Sequence, residues 1–585
     1  MKYAIASLLA IVLAIQSASF AAAQPSVQQL IDEAIKTDQR QLTIPPGEYR
    51  VAPANEVGPH VTIRNAKDLA IDATGVTLIC TTANQALRIE GSANVTIKGL
   101  AIDYDPLPFT QGTIVSMADD GASFQVKLHA GYPPVTGRIR GIVMDENTRV
   151  VKADTWTRFA GTATDAADGL INADWGRPIR DTAKVGDFIV LTGQSKSPHG
   201  IYLTNCSGMV LDSVSVHAST SFAILEVGGD GGNTYRNVRI VPGPTPAGAT
   251  EARLLASNAD GIHSKHTNRG PTIEGCEMNA TGDDGIAING DFAMVVRSES
   301  ETSAIIAPTR QLSFRVGDRV RGFDERLVPT DYVTITAITK IDPTGENDPR
   351  PVQQRRLPEL RHSEHLLKDT YQFTFDGPLK LAAGYLMSSP DRNGSGFAVR
   401  NNTIRNHRAR GILIKASEGV VENNTVEGSS IAGIVLAPEP EYWLEADYSR
   451  DVLVRNNVLR KVGHGARNAG SIQAGAISVV ADSKGAADGH RNITIENNTI
   501  EDAAGCNVII MSAKGVTVTG NRFVRPGHAA IGAGTKFGVD GSAMIWIDHA
   551  QDVVLEDNVA TDVGPQTTKP VVITESAMNV RTDSK

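Results

Sequence analysis

The sequence predicts an all-β protein: a right-handed parallel β-helix with two small β-barrel modules inserted between its coils. Three observations carry that expectation. The first is a phrase that recurs along the C-terminal part: "VRNNTIRN" (399–406), "VENNTVEG" (421–428), "VRNNVLRK" (454–461), "IENNTIED" (495–502), "VTGNRFVR" (518–525) and "LEDNVATD" (555–562). The last Asn of each falls at Asn402, Asn424, Asn457, Asn498, Asn521 and Asn558, and the two shortest intervals, 22 and 23 residues, suit one coil of three short strands and their turns. Such Asn residues are expected to form a ladder at one corner, each side chain bonding backbone of its own or the next coil. The second is β-type alternation in patches such as "GVTVTG" and "AGIVLAP", with helical periodicity nearly absent outside residues 26–37. The third is a total of 55 glycines beside Asn-rich turns, which suits many tight corners at positive φ. An up-and-down barrel is the competing architecture; irregular spacing and the lack of clear hairpin turns speak against it.

The elements follow in chain order. Residues 1–23 have the build of a secretory signal, with Lys2, an apolar run over 4–15 and Ala21-Ala22-Ala23, so export to the periplasm or the exterior is expected. No later apolar run reaches the length of a membrane span. Residues 24–105 read as N-terminal coils, closing with "NVTIKGLAIDYD" (94–105). Residues 106–195 and 293–395 break the repeat, and each carries Val-Gly-Asp before a strand ("AKVGDFIVLTG" and "FRVGDRVRGF"). Both read as inserted β modules that overhang one face and wall a site. Residues 196–292 return to coils that carry the candidate catalytic acids, and residues 396–585 form the C-terminal coils. Cys80, Cys206, Cys276 and Cys506 make no C-x-x-C pattern, which argues against a structural zinc site; single cysteines in a core are expected, with disulfide pairing left open. A net charge of -9 argues against nucleic acid as a partner.

Three acids stand out. Asp260 lies in "SNADGIHSKH" (257–266), and Asp283 and Asp284 lie in "TGDDG" (281–285), 23 residues or one coil beyond Asp260. Stacked coils sit about 4.8 Å apart, which makes residues one coil apart surface neighbours. Gly282 and Gly285 are expected to bend the chain so that both paired acids face outward. Carboxylates about 5 Å apart repel by about 3 kcal/mol at an effective dielectric near 20, roughly two pKa units. One acid would then stay protonated beside ionised neighbours, as glycoside hydrolysis requires. The plainer alternative is a polar turn, and the sharper one is a Ca2+ site of three aspartates. No metal or cofactor is expected. His263 lies beside Asp260. Arg408, Arg410 and Lys415 in "NHRARGILIK" (406–415) could orient hydroxyls or an anionic substituent. In "EPEYWLEADYSR" (439–450), Trp443 could stack on a sugar ring and Glu445 accept its hydroxyls; Tyr104 is a further candidate of that kind.

These motifs resemble glycoside hydrolase family 110, the β-helical α-1,3-galactosidases. The likeness runs through "DYDPLPFTQG", "SPHGIYLTNCSGMVLDSVSVHAS", "NADGIH", "GDDGIAING" and "RARGILIKASEGVVENNTVEGSSIAGIVLAPEPEYWLEADYSRDVLVRNNVL". The resemblance implies metal-free, inverting hydrolysis of terminal α-linked galactose, with the family's three acids at Asp260, Asp283 and Asp284. The paired acids and the Arg/Lys pair are also similar to family 28 polygalacturonases. That analogy makes Asp283 the general acid, with Asp260 and Asp284 activating water; the swapped assignment, with Asp260 as the acid, stays open. Inversion predicts an acid–base separation of about 6.5–9.5 Å. The expected partner is an oligosaccharide or polysaccharide, with a homodimer left open. The alternatives are a polygalacturonase-like hydrolase, a Ca2+-dependent lyase acting on uronates, or a non-catalytic carbohydrate-binding β-helix.

Overall fold

The computed structural model describes residues 25–152, 159–166, 168–176, 178–179, 183–193, 198–309, 311–356, 367–464, 475–481, 488–529 and 538–583. The signal-like segment 1–23 lies outside them. The chain is a parallel β-helix of three strand columns with two closed barrels. One column stacks Val61–Arg64, Leu87–Glu90, Ile201–Thr204, Ile224–Val227, Ile262–Lys265, Ile286–Asp291, Ile412–Ile414, Ile434–Leu436 and Ile477–Val479, every neighbour parallel. Its first isoleucines line up from coil to coil and are wholly buried in one continuous apolar core. β-branched side chains suit that position because they fill a pleated surface with little rotamer freedom to lose.

The repeated Asn-Asn phrase divides two tasks between its residues. The first Asn adopts left-handed backbone geometry, as at Asn401 (φ 58), Asn423 (φ 56), Asn456 (φ 55) and Asn497 (φ 55), where Gly520 and Asp557 take the same place in the later coils. The second Asn, buried from Asn402 to Asn521 and half-buried at Asn558, forms the expected ladder. The Asn402 N–H donates to Asn424 Oδ1 (3.0 Å), Asn424 to Asn457 (3.0 Å), Asn457 to Asn498 (2.9 Å) and Asn498 to Asn521 (2.9 Å). Cys276 occupies the rung before Asn402, and its thiol faces the Tyr235 carbonyl at 3.4 Å. All four cysteines are buried and free.

The helix Val27–Lys36 has a capping box of Ser26 and Gln29 and lays Val27 and Ile31 on the N-terminal end of the core. A solenoid needs such an end cover, because its first coil has no neighbour to bury it. The first barrel joins Phe109–Met117, Ser123–Leu128, Gly137–Met144, Phe159–Ala166, Leu170–Asp174 and Phe188–Gly193. The second joins Ala293–Ser300, Ser303–Ala307, Arg319–Phe323, Val333–Ile341, Thr370–Phe375 and Leu386–Ser388. It leaves the column directly after Ile286–Asp291, so it stands beside the paired acids. Arg321 ties it to the coils through Asp447 (Nη2 to Oδ1, 2.9 Å). Among the described residues no helix is long and apolar enough to cross a membrane.

Candidate active site

The site grows from one corner of the coil. Ile262 pairs with Ile286 and Ile286 with Ile412, so the residues two places earlier share a slot: Asp260, Asp284 and Arg410. Backbone bonds agree, with Gly261 N–H donating to Asp284 O (2.9 Å) and Gly285 N–H to Arg410 O (2.9 Å). The coil here is 24 residues long, and Asp260 is therefore in register with Asp284 and not with Asp283, the partner that a 23-residue coil predicts. The same slot holds His199 and Phe222 in the two coils before.

The glycine after each slot residue has a steric cause. A Cβ on Gly261 would lie 2.5 Å from the Gly285 carbonyl oxygen, and one on Gly285 would lie 2.6 Å from that of Gly411. These glycines let adjacent coils close up; left-handed φ, the usual reason for glycine in a turn, is not involved. Asp283, one residue before the slot, lies in the bend and is the most exposed of the three acids, its side chain 23% accessible against 5% for Asp284 and 6% for Asp260.

One carboxyl oxygen from each of Asp260, Asp283 and Asp284 lies within 4.8 Å of the other two. A single water at about 2.8 Å could touch all three. These nearest-oxygen distances fall short of the 6.5–9.5 Å expected for an inverting pair, so that expectation is not met and the spacing does not support inversion. The three environments differ. Asp284 receives the Arg410 backbone N–H (2.8 Å), Nε (2.8 Å) and Nη2 (2.7 Å). Asp283 meets Arg408 Nη2 at 2.5 Å, while Arg408 Nε donates to Gly282 O at 2.7 Å. Asp260 differs in its partner: its Oδ2 faces His263 Nδ1 at 2.7 Å. Burial pushes its pKa up to about 7; a His263 ring that is charged or donates through Nδ1 opposes the rise, and the Asp284 and Asp283 charges add to it. The trio could by distance hold a cation, but two of its carboxylates already face fixed guanidinium charges, so these residues do not fit a divalent ion.

Behind the acids runs a buried chain of alternating charges. Arg410 Nη1 reaches Glu439 Oε1 (2.9 Å), and Lys415 Nζ reaches Glu439 Oε2 (2.8 Å) and Glu445 Oε2 (2.7 Å). Lys265 Nζ reaches Glu445 Oε1 (2.9 Å) and Asp291 Oδ1 (3.2 Å), and His266 Nε2 reaches Asp291 Oδ2 (3.0 Å). Burial opposes ionisation of Glu445, yet Lys265 and Lys415 hold its carboxyl well below the ordinary range.

The expectations for Lys415, Glu445 and Tyr104 need correction. Lys415 is wholly buried and Glu445 is clamped between two lysines, so both serve to hold the site's charges. Tyr104 is core: it is 2% accessible, its hydroxyl donates to Asn84 O (2.9 Å), and its ring meets His60 edge-on. Arg408 and Arg410 bind the acids themselves. Trp443 is 43% accessible and packs edge-on against Tyr442. It caps a loop whose legs, Glu439 and Glu445, exchange backbone hydrogen bonds (2.9 and 3.0 Å), which joins that aromatic tip to the charge chain.

Sequence reasoning missed His199, Phe222, Asn289, Glu439 and Lys265. His199 stacks on Phe222 (5.1 Å, 22°), which in turn packs on His263 (5.1 Å). Burial, with a contribution from His263, lowers the His199 pKa to about 4. A signal was present: "HGI" (199–201), "DGI" (260–262), "DGI" (284–286) and "RGI" (410–412) repeat one slot-Gly-Ile phrase.

A β-helix with clustered carboxylates at one corner is the class that the fold and the site define. The family model described as "Right handed beta helix region" matches residues 383–523. The chain is 22% identical over 484 residues to a protein named alpha-1,3-galactosidase B from Bacteroides thetaiotaomicron, covering 75% of this chain and 73% of that one. It is likewise 22% identical over 581 residues to alpha-1,3-galactosidase A from Bacteroides fragilis, covering 91% and 89%. Among solved structures it is similar to a family 28 exopolygalacturonase from Yersinia enterocolitica, with a TM-score of 0.41, 10% identity, and coverage of 95% of this chain and 75% of that one.

Proposed function

We propose that this protein is an exported, metal-independent glycoside hydrolase that removes terminal α-linked galactose with inversion. One observation carries the chemistry: three carboxyls share a corner, two facing guanidinium groups and the third raised toward neutrality by burial. The relatives named alpha-1,3-galactosidase support the sugar and the linkage. In this reading Asp260 donates its proton to the glycosidic oxygen as the bond to the anomeric carbon breaks. A water attacks that carbon from the opposite face and gives its proton to Asp283, the acid most open to solvent. Asp284, saturated by Arg410, is a fixed negative charge that stabilises the oxocarbenium-like transition state. The hydrogen bonds thus favour the swapped assignment over the polygalacturonase analogy.

The charge around the site argues against a uronate. The carboxylates Asp283, Asp284, Glu439, Glu445 and Asp291 outnumber Arg408, Arg410, Lys415 and Lys265, and each of those cations already contacts a carboxylate. An anionic sugar would enter an excess of like charge; a neutral hexose would not.

Incubation with an α-1,3-linked galactoside and with oligogalacturonides tests the substrate, and galactose release with intact oligogalacturonide is expected. Asp260→Asn and Asp283→Asn should each lower turnover at least a hundredfold on the disaccharide, about 3 kcal/mol. On 4-nitrophenyl α-galactoside, whose leaving group needs no proton, only Asp260→Asn should recover. Recovery of Asp283→Asn in its place would return the acid role to Asp283.

A further inference from the structure

We infer that Asp260 and His263 hold one proton jointly and that Asn289 locks it there, which makes His263 and Asn289 positioning residues for the proton donor. The inference rests on the reading of Asp260 as that donor. It follows from counting hydrogens. The Asn289 Nδ2 donates to Gly290 O at 2.7 Å, so its Oδ1 is the atom turned to His263 Nε2 at 2.7 Å. The opposite amide orientation would set two carbonyl-type oxygens against each other at 2.7 Å. An amide oxygen only accepts, and Nε2 therefore carries a hydrogen. The remaining ring nitrogen, Nδ1, faces Asp260 Oδ2 at 2.7 Å. In the neutral ring with Nε2–H, Nδ1 is a bare acceptor, and two acceptors cannot sit at that distance. A proton must lie between them, on Asp260 or on the ring. Either way the pair keeps a proton that an ionised Asp beside a freely tautomerising His would not need.

The ring has little freedom to escape this arrangement. Phe222 packs on it, His199 backs Phe222, and Leu225 and Ala287 flank it in register. The charges that face the pair are Asp283 and Asp284 beside Asp260, Glu445 beside His263, and His199, with Arg408, Arg410, Lys265 and Lys415 paired to those carboxylates and partly offsetting them. The three carboxylates favour retention of the proton; His199, neutral above about pH 4, leaves it undisturbed at neutral pH.

The sign of the effect follows. In His263→Gln the new amide N–H can donate to ionised Asp260, so the proton is no longer required. In Asn289→Ala the ring can adopt the Nδ1–H tautomer and donate to ionised Asp260, with the same result. Both variants should shift the alkaline limb of kcat/KM on an α-1,3-galactoside toward lower pH by about one unit. A merely structural role would lower the rate and leave the limb in place, and unchanged limbs in both variants would overturn the inference. A second measurement is independent of activity. In full-length protein with 15N-labelled histidine, His263 should show protonated Nε2 at neutral pH and a strongly deshielded bridging proton. That resonance should vanish in Asp260→Asn and persist in Asp283→Asn. A neutral His263 with bare Nε2 would overturn the proton-sharing claim even if galactoside hydrolysis stood. Loss of hydrolysis with the resonance present would overturn the functional reading alone.

Discussion

At the scale of the residue, the three acids do different jobs because their neighbours differ. Asp260 is the costly one. Its folded pKa, about 7, lies above the ordinary 3.8, so between those values the folded chain binds more protons than the unfolded one. Stability from this group is thus full below about pH 4 and is lost as pH rises toward 7. Asp260→Asn removes that slope and keeps a donor for His263. Urea unfolding should show the variant more stable than wild type at pH 7.5 by about 4 kcal/mol, with the gap narrowing to about 1 kcal/mol at pH 4.5. Equal gaps at both values would contradict the raised pKa. The sequence made the acids legible as a trio, because Asp260 and the Asp283-Asp284 pair lie about one coil apart. Register was misread by one residue, since coil length varies and spacing alone does not tell 23 from 24. Partners such as Asn289 were hidden because a lone Asn near a strand end carries no pattern, and its effect arises through His263.

Among elements, the Asn ladder and the slot-Gly-Ile phrase set the coil geometry on which the site depends. Asn457 is fully buried; its Oδ1 accepts from Asn424 N–H and its Nδ2 donates to Val421 O. Asn457→Ala should cost about 2–3 kcal/mol, because it strands a buried backbone N–H and a carbonyl. Asn456→Gly, at a left-handed position, should change stability by a few tenths of a kcal/mol. Chemical denaturation of the two variants separates the roles, and equal effects would mean that the repeated Asn pair is not divided as described. The ladder was readable because each Asn-Asn recurs in a fixed phrase. The barrels were readable as interruptions of that phrase. The burial of Tyr104 and Lys415 was not, since a polar group's exposure depends on which loop lies over it.

The molecule as a whole is a column whose second barrel and Trp443 loop are joined to the candidate corner by buried ion pairs. Lys415 is the middle of that chain. Lys415→Met should leave Glu439 and Glu445 partly uncompensated and cost about 3–5 kcal/mol in denaturant unfolding; a cost below 1 kcal/mol would show that the chain is not a unit. The central claim, that this corner hydrolyses an α-galactoside by direct displacement with water, is tested most directly by the anomer formed first. Wild-type protein acting on an α-1,3-linked galactoside, followed by 1H NMR from the first turnovers, should release β-galactose that mutarotates afterwards. Initial release of α-galactose, or no galactose at all, would contradict the account.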